Sequence, residues 1–336
     1  GNTRTQDEVI RREIGVSEGS LYSRSALRDS VLKLRRLGYF SDVQMNASQV
    51  DNMPDKINLN FVLEETKTGT LSASISHSNN FGVSLGAGIT EKNIFGSGNT
   101  FNADLKISES FNKLSFYFEN PYFNNDNHSI SYGAFISRLD DDDVMKDSYN
   151  INSKGLNLGY GIPLTNNTRL NTKLEYSKHE LTCGSSFSAS GYEPTQCATS
   201  SNDEIKLSVY WNENTLNDYL YPTEGRSNVL ELGVATPLGD YRYFNIDANH
   251  KSYKALSSDL TLKLTGDIGI TKGYSGKELP FFKRYFGGGS GSVRGFGNKT
   301  LGPLYPNNSA KGGELSILGS LNFIAPAYFF DDNDNM

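Results

Sequence analysis

The stretch "DEIKLSVYWNE", residues 203–213, decides the fold of this chain because apolar residues occupy every second position. The apolar members are Ile205, Leu207, Val209 and Trp211, and the polar residues between them include Lys206 and Ser208. Successive side chains of a β-strand point to opposite faces. A period of two therefore indicates a strand with one apolar and one polar face.

The same period recurs from residue 68 onward, as in "TGTLSASISHS" (68–78), "NKLSFYFENPYF" (112–123) and "DLTLKLTGDIGI" (259–270). It predicts about twelve strands, over residues 68–77, 81–92, 98–109, 112–120, 128–138, 148–162, 167–180, 202–214, 225–236, 241–255, 259–272 and 313–325. No helical pattern separates these strands, which indicates an antiparallel meander.

Strand length and loop length together indicate the kind of sheet. Many strands run ten or more residues, and short turns alternate with long polar connections at 138–148, 181–202 and 273–312. This combination is typical of a transmembrane antiparallel β-barrel, with polar side chains toward a wet lumen and apolar ones toward lipid. A soluble β-sandwich also alternates. Strand length, the 38 Tyr and Phe residues and the loop asymmetry favour the barrel.

Residues 1 to about 66 follow a helical period instead. Val9, Ile10 and Ile14 have helical spacing, and a second helix follows in "SRSALRDSVLKLRRLG" (23–38). Two strands come next, in "YFSDVQMNAS" (39–48) and "KINLNFVLEE" (56–65). We therefore expect a small α+β unit in the order helix, helix, strand, strand, with an initial strand before residue 1.

Composition and motifs exclude several classes of function. The net charge of −6 gives no electrostatic case for nucleic-acid binding. The four histidines are scattered without ligand spacing, and the Asp140–Asp143 run lacks the Gly and distal Glu of an EF-hand. The "GGGSGS" run (287–292) has no Lys-Ser or Lys-Thr after it, as a phosphate loop requires. We therefore expect no enzyme activity, no cofactor and no metal.

The two cysteines, Cys183 and Cys197, lie in one polar stretch rich in Ser, Gly and Thr. They predict a disulfide that closes a surface loop in an oxidising compartment. The alternative is two free thiols in a mobile loop.

Five motifs carry a resemblance to a known family. The N-terminal "RTQDEVIRREIG" (4–15) and "LRRLGYFSDV" (34–43) resemble the last POTRA repeat, a polypeptide-transport-associated domain. Three later motifs resemble the barrel of the BamA family, from the β-barrel assembly machinery of the bacterial outer membrane: "YLYPTEG" (219–225), "FFKRYFGGGSGSVRGF" (281–296) and "NFIAP" (322–326). The resemblance covers essentially the whole chain.

The resemblance implies a periplasmic POTRA domain over residues 1–66 and a transmembrane barrel over 67–336, with the long loop 273–312 folding into the lumen. The family barrel has sixteen strands and ends on an aromatic residue, whereas this chain shows about twelve strands and ends "AYFFDDNDNM". We expect roughly four C-terminal strands to be absent from it.

The function implied is insertion of β-barrel proteins into the Gram-negative outer membrane through a lateral gate, without nucleotide hydrolysis. The implied partners are the outer-membrane lipid bilayer, unfolded β-barrel substrates and periplasmic lipoproteins of the machinery. Two alternatives from the same superfamily are a two-partner secretion transporter and a relative that serves autotransporter assembly. A passive porin is disfavoured, because porins carry no POTRA domain.

Two sites follow from the resemblance. The gate would use a weakly held first strand without a large aromatic, formed by Thr70, Leu71, Ser72, Ala73, Ser74, Ile75 and Ser76. The alternative is an ordinary strand that has this composition by chance. The loop motif is Val293, Arg294, Gly295 and Phe296, whose arginine would contact acidic groups on the inner wall. The alternative is that Arg294 is a solvated loop charge. Asn322 stands where the family tends to place one such glutamate, which leaves the partner of Arg294 open.

Overall fold

The computed structural model describes residues 2–51, 53–78, 82–124, 126–140, 149–183, 200–218, 221–289, 291–306, 308 and 310–325. The helices are α1 (Asp7–Arg11) and α2 (Arg24–Arg36). The strands are β1 (Phe40–Val50), β2 (Met53–Glu65), β3 (Gly69–Ser78), β4 (Gly82–Ile94), β5 (Asn99–Ser108), β6 (Phe111–Asn120), β7 (Ser129–Asp140), β8 (Tyr149–Thr165), β9 (Thr168–Cys183), β10 (Ser200–Asn214), β11 (Gly225–Ala235), β12 (Tyr243–Ala255), β13 (Thr261–Gly273) and β14 (Leu315–Ile324).

The N-terminal unit has the predicted order of elements. The Ser23 side chain accepts a hydrogen bond from the Ala26 amide and caps α2, and Gly38 follows the helix with a φ of 71°. The two helices pack on the β1–β2 hairpin over a core that includes Val9, Leu34, Tyr39, Phe40, Val43 and Leu63. The 3.6-residue period of the helices places Val9 and Leu34 toward the hairpin.

All twelve strands predicted from residue 68 onward are present, as β3 to β14. Each pairs antiparallel with the next in the chain, so the sheet order follows the sequence. Within the described residues the sheet is open, with β3 at one edge and β14 at the other.

Polar and apolar side chains are distributed on this sheet in the opposite way to a soluble protein. Apolar side chains are exposed on one face, with Ile75 at 80% and Leu156 at 62%, while Ser208 on the other face is fully buried. A soluble protein buries its apolar face. An apolar outer face around a polar interior is the arrangement of a transmembrane barrel, and the predicted fold class is therefore confirmed. Among the described helices none is long and apolar enough to cross a membrane.

The connections follow the predicted alternation of length only in part, because β5 ends at Ser108 and β6 begins at Phe111, a short turn at the end that carries the long connections. Short turns join β4 to β5, β6 to β7 and β8 to β9 at one end of the sheet. Long connections leave the opposite end, and the one between β13 and β14 contains a 3₁₀ turn at Phe281–Lys283. The N-terminal unit contacts the end with the short turns.

Candidate functional sites at the open edge, in the lumen and at the domain junction

The first strand of the sheet, β3, carries all seven residues predicted for the gate. In the described part of the chain its sole neighbour is β4, so its second edge exposes backbone N–H and C=O groups. On the outer face Leu71 and Ile75 are both 80% exposed. An unpaired edge of this kind is able to accept another strand by backbone hydrogen bonding.

Small residues line the inner face beside this edge. A Cβ atom on Gly86 would lie 2.5 Å from the Ser74 hydroxyl, and one on Gly88 would lie 2.8 Å from that of Ser72. The serines of β3 therefore lie against bare backbone of β4. A polar cavity of about 540 Å³ opens over this part of the inner wall, which β3 to β6 line.

The loop between β13 and β14 is attached to the inner wall by residues 281–286, "FFKRYF", which we call the lumen strap. Phe281 is 2% exposed and packs on Tyr149, Ile151 and Leu181. Its ring meets that of Tyr149 edge to face, with the centroids 4.9 Å apart. This contact attaches one end of the strap to β8 and β9.

A buried carboxylate holds the middle of the strap. Glu204 on β10 is 1% exposed, and Lys283 Nζ lies 2.9 Å from its Oε2 atom. The Tyr243 hydroxyl donates to Oε1 over 2.6 Å, and His179 Nε2 lies 3.1 Å from Oε2. A buried charge is tolerated when it is paired and hydrogen-bonded, as this one is.

The far end of the strap reaches β12 and β13. The Tyr285 hydroxyl donates to Asp247 Oδ1 over 2.6 Å. Its ring lies over Gly269, where a Cβ atom would come within 2.5 Å of the ring. Backbone hydrogen bonds of 2.9 Å and 2.8 Å join Tyr285 to Gly313, so the strap is also tied to the return of its own loop. The strap thus crosses the inner wall from β8 to β13.

The glycine-rich tip lies beyond the strap. Gly288, Gly289 and Gly295 have φ values of 103°, 90° and 87°, which other residues rarely adopt. The Gly289 amide donates to the Phe296 carbonyl over 3.0 Å and folds the tip back on itself. Arg294 is exposed and has neither a hydrogen bond nor an ion pair with any residue that the structure describes.

The predicted partner position is elsewhere. Asn322 lies on the inner face of β14 and donates to the Ser320 hydroxyl. The structure therefore does not bring Arg294 and Asn322 together, and their roles stay predictions. Cys183 ends β9, but Cys197 lies outside the described residues, so the disulfide also stays a prediction.

The residues that hold the loop are not among the predicted site residues: Lys283, Tyr285, Glu204, His179 and Asp247. One signal was available, since "FFKRYF" places large and basic side chains in a loop where glycine and polar residues dominate. Across the described ranges no group of three or more His, Cys, Asp or Glu side chains is arranged to hold a metal ion.

The domain junction is formed by residues 2–13 and Tyr39 of the N-terminal unit, against residues 91–98 and Tyr122 of the sheet. Asn93 is 3% exposed, and its Nδ2 atom donates to the Thr5 hydroxyl over 2.9 Å. The Gln6 amide donates to the Gly96 carbonyl over 2.9 Å. Gly96 has a φ of 73°, and a Cβ atom there would lie 1.8 Å from the Arg4 carbonyl oxygen.

Two aromatic residues complete the junction. The Tyr39 hydroxyl donates to the Lys92 carbonyl over 3.0 Å. The Arg12 guanidinium lies 4.0 Å from the centre of the Tyr122 ring, in cation–π geometry. Burial raises the pKa of Tyr122, and a hydrogen bond to the Glu13 carboxylate raises it further. Tyr122 is therefore a neutral donor at every physiological pH.

A carboxylate holds the N-terminal segment that enters the junction. Glu65 accepts hydrogen bonds from the backbone amides of Thr3, Arg4 and Thr5 at 2.8, 3.0 and 2.7 Å. Partial burial acts to raise the pKa of Glu65, but the three amides outweigh it and lower the pKa to about 2.

This lowered pKa gives the N-terminal unit an acid-sensitive contact. A free glutamate titrates at about 4.3, so the ionised Glu65 stabilises the folded unit fully above that pH. The stabilisation is lost as the pH falls through about 2. We expect Glu65→Gln to remove this part of the pH dependence, as measured by urea unfolding of the helical signal between pH 2 and 5. Glu64→Gln, at an exposed neighbour, is the control. The same pH dependence in the parent and Glu65→Gln would contradict the prediction.

Comparison with known proteins gives three kinds of match. The model of the Omp85 superfamily domain matches residues 93–336, and the POTRA model, described as a surface antigen variable number repeat, matches residues 1–66. Outer membrane protein assembly factor BamA of Neisseria meningitidis serogroup B is 32% identical over 90% of this chain and 39% of its own length. The BamA of Neorickettsia risticii is 27% identical, over 97% of this chain and 43% of its own.

The solved structures agree with these sequence matches. BamA from Haemophilus ducreyi lacking POTRA domains 1–3 superposes with a TM-score of 0.79 and 26% identity, covering 98% of this chain and 66% of that one. CdiB from Acinetobacter baumannii gives 0.59 at 15% identity, over 97% of this chain and 59% of that one, a likeness of fold alone. The chain spans about two fifths of the length of the curated relatives it matches.

Proposed function

Because this chain belongs to the Omp85 superfamily, we propose that it acts in the assembly and insertion of β-barrel proteins in the bacterial outer membrane. Residues 67–336 are the membrane barrel in this proposal, and residues 1–66 are a POTRA domain in the periplasm. The N-terminal domain receives unfolded barrel proteins and binds the lipoprotein subunits of the assembly machinery. No catalysis is involved.

The pairing of β3 with β4 through small side chains is the observation that carries this proposal, beside the family match. An unfolded barrel segment in a bilayer has unpaired backbone groups, which are costly because lipid offers no hydrogen bonds. A segment that pairs with β3, along the edge that does not bond to β4, has the backbone groups on one of its sides hydrogen-bonded as it enters the membrane. The substrate's own lipid-facing burial and closed hydrogen bonding then supply the driving force, which is consistent with a process that hydrolyses no nucleotide.

Small side chains on β3 and β4 favour a transient contact over a permanent one. Cross-strand side-chain pairs stabilise a sheet, and large aromatic and β-branched pairs contribute most. The inner face of β3 carries serines, and Gly86 and Gly88 of β4 lie opposite two of them. A substrate strand that pairs here is held mainly by backbone hydrogen bonds. It is therefore able to leave once its own barrel closes.

A cysteine in place of Ser72 is expected to form a disulfide cross-link with a cysteine in the last strand of a nascent barrel protein during assembly. Ser115→Cys is the matched control, because Ser115 also lies on the inner face but on β6, which is paired on both sides. Non-reducing gels of assembling membranes provide the readout. The gate proposal fails if no adduct forms at Ser72, or if Ser115 cross-links equally well.

A further inference from the structure

Two lysines lie directly opposite each other on neighbouring strands, Lys154 on β8 and Lys178 on β9. The register runs across the sheet from Leu114 to Ile136, then to Lys154 and Lys178. Residues opposite each other in an antiparallel sheet share a face. Ile136 is 63% exposed on the apolar outer face, so both ammonium groups belong to the face that meets lipid.

The height of this pair on the barrel is set by strand geometry. Lys154 lies eleven residues from Thr165, where β8 meets its short turn. At about 3.3 Å per residue and a tilt of about 40°, it stands ~28 Å above that turn. The apolar band of a membrane barrel is about 25 Å tall. The lysines thus lie at the headgroup level of the leaflet on the side of the long loops.

An apolar depression adjoins the lysines on the outer face. It has a volume of about 370 Å³, and its walls include Phe116, Leu156 and Tyr176, with Lys154 and Lys178 at its margin. Ala134 lies between Phe116 and Leu156 in the register, and its small side chain makes the floor. The site is therefore complementary to a lipid, with room for an acyl chain beside two cationic groups.

The two lysines form no ion pair in the described part of the chain. Neither lysine has a carboxylate within 4.0 Å. The nearby Asp140 pairs with Arg138 at 2.9 Å. Asp203 on β10 lies directly opposite Lys178 in the register, but its carboxylate accepts a hydrogen bond from the Tyr176 hydroxyl at 3.1 Å. Glu180 lies one row nearer the long loops. Like charges directly opposite each other repel, and an anion between them relieves that repulsion.

We propose that Lys154 and Lys178 bind the phosphate of an outer-leaflet lipid, whose acyl chain occupies the apolar depression. The phosphate oxygens accept hydrogen bonds from both ammonium groups, and these bonds are stronger for being charge-assisted. The inference goes beyond the insertion function. It rests on the placement of the sheet in the outer membrane and holds whether or not β3 receives substrates.

The test measures lipid retained by the purified full chain in detergent, by native mass spectrometry. Three probes are compared: hexa-acylated lipid A with two phosphates, the same lipid after dephosphorylation, and inorganic phosphate as competitor. We expect the double substitution Lys154→Gln and Lys178→Gln to lower retention of the phosphorylated lipid about tenfold. Lys272→Gln is the control, because Lys272 lies near the same end of the outer face opposite Phe244 and not opposite another lysine.

Three outcomes overturn the proposal. The first is equal retention of phosphorylated lipid by the parent and the double variant. The second is equal retention of the phosphorylated and dephosphorylated lipids by the parent. The third is displacement by inorganic phosphate at equimolar concentration, which would assign the lysines to free phosphate and not to lipid. Unchanged gel mobility after mild heating shows that each variant is a folded barrel, so loss of binding is not loss of structure.

Discussion

Replacing Glu204 by alanine is expected to detach the lumen strap from the barrel wall. The substitution leaves Lys283, the Tyr243 hydroxyl and His179 without the carboxylate that they share. Removing one member of a buried ion pair costs about 3 kcal/mol, because the remaining charge is left desolvated and unpaired. Hydrogen exchange followed by mass spectrometry should then show loss of protection over residues 281–286, while β10 stays protected.

The control for this experiment is another lysine–glutamate pair inside the same barrel. Lys206 Nζ lies 3.0 Å from Glu231 Oε1, and neither residue belongs to the anchor of the strap. Glu231→Ala should therefore leave exchange in residues 281–286 unchanged. If Glu231→Ala and Glu204→Ala expose the strap to the same degree, Glu204 is not its specific anchor.

Arg294→Ala distinguishes the two possible anchors of the loop. Arg294 is exposed at the tip, whereas Lys283 reaches a carboxylate that is 1% exposed. We therefore expect Arg294→Ala to expose the strap less than Glu204→Ala does. A larger effect from Arg294→Ala would make the tip, and not the strap, the principal attachment.

Gly96→Ala is expected to separate the N-terminal domain from the barrel. Its new Cβ atom would lie 1.8 Å from the Arg4 carbonyl oxygen, a distance that no side-chain rotation relieves, since both atoms belong to or adjoin the backbone. The domain must move away, which breaks the hydrogen bonds of Asn93 and Gln6 across the junction. Spin labels at Lys33→Cys and Asp126→Cys should give one narrow distance distribution in the parent and a broad one in the variant.

Gly276→Ala is the matched control for backbone strain. Gly276 also has a φ of 73°, but no heavy atom lies within 4 Å of the position of its Cβ. Its replacement costs about 1 kcal/mol of strain from the left-handed conformation and breaks no contact. A distance distribution that stays narrow in Gly96→Ala would show that the close approach does not fix the domain.

The strands were predictable because their signal is local. The alternation in β10 is complete within eleven residues, and each strand pairs with the next, so topology followed from sequence order. The strand boundaries differ from the prediction by a few residues. β8 was predicted to end at 162 but continues to Thr165, past a register shift at Pro163.

The strap and the junction were not predictable in the same way. Lys283 and Glu204 are 79 residues apart, and Asn93 and Thr5 are 88 apart. Their contacts follow from the curvature of the whole sheet and from docking of the N-terminal unit, and neither leaves a periodic pattern. The family motif indicates Arg294 and not the strap, because a motif identifies residues without giving their distances.

The lumen strap contacts one part of the barrel wall and leaves the rest unsupported, so the two parts should differ in stiffness. It connects the strands from β8 to β13 through aromatic contacts, an ion pair and a hydrogen bond. The wall from β3 to β6 instead faces an open cavity and has small inner side chains beside its edge. Bending stiffness is therefore concentrated in one half of the molecule. The N-terminal domain contacts the turn between β4 and β5, in the half without the strap. We therefore expect a rotation of that domain to displace β3 and β4 more than the strands from β8 to β13.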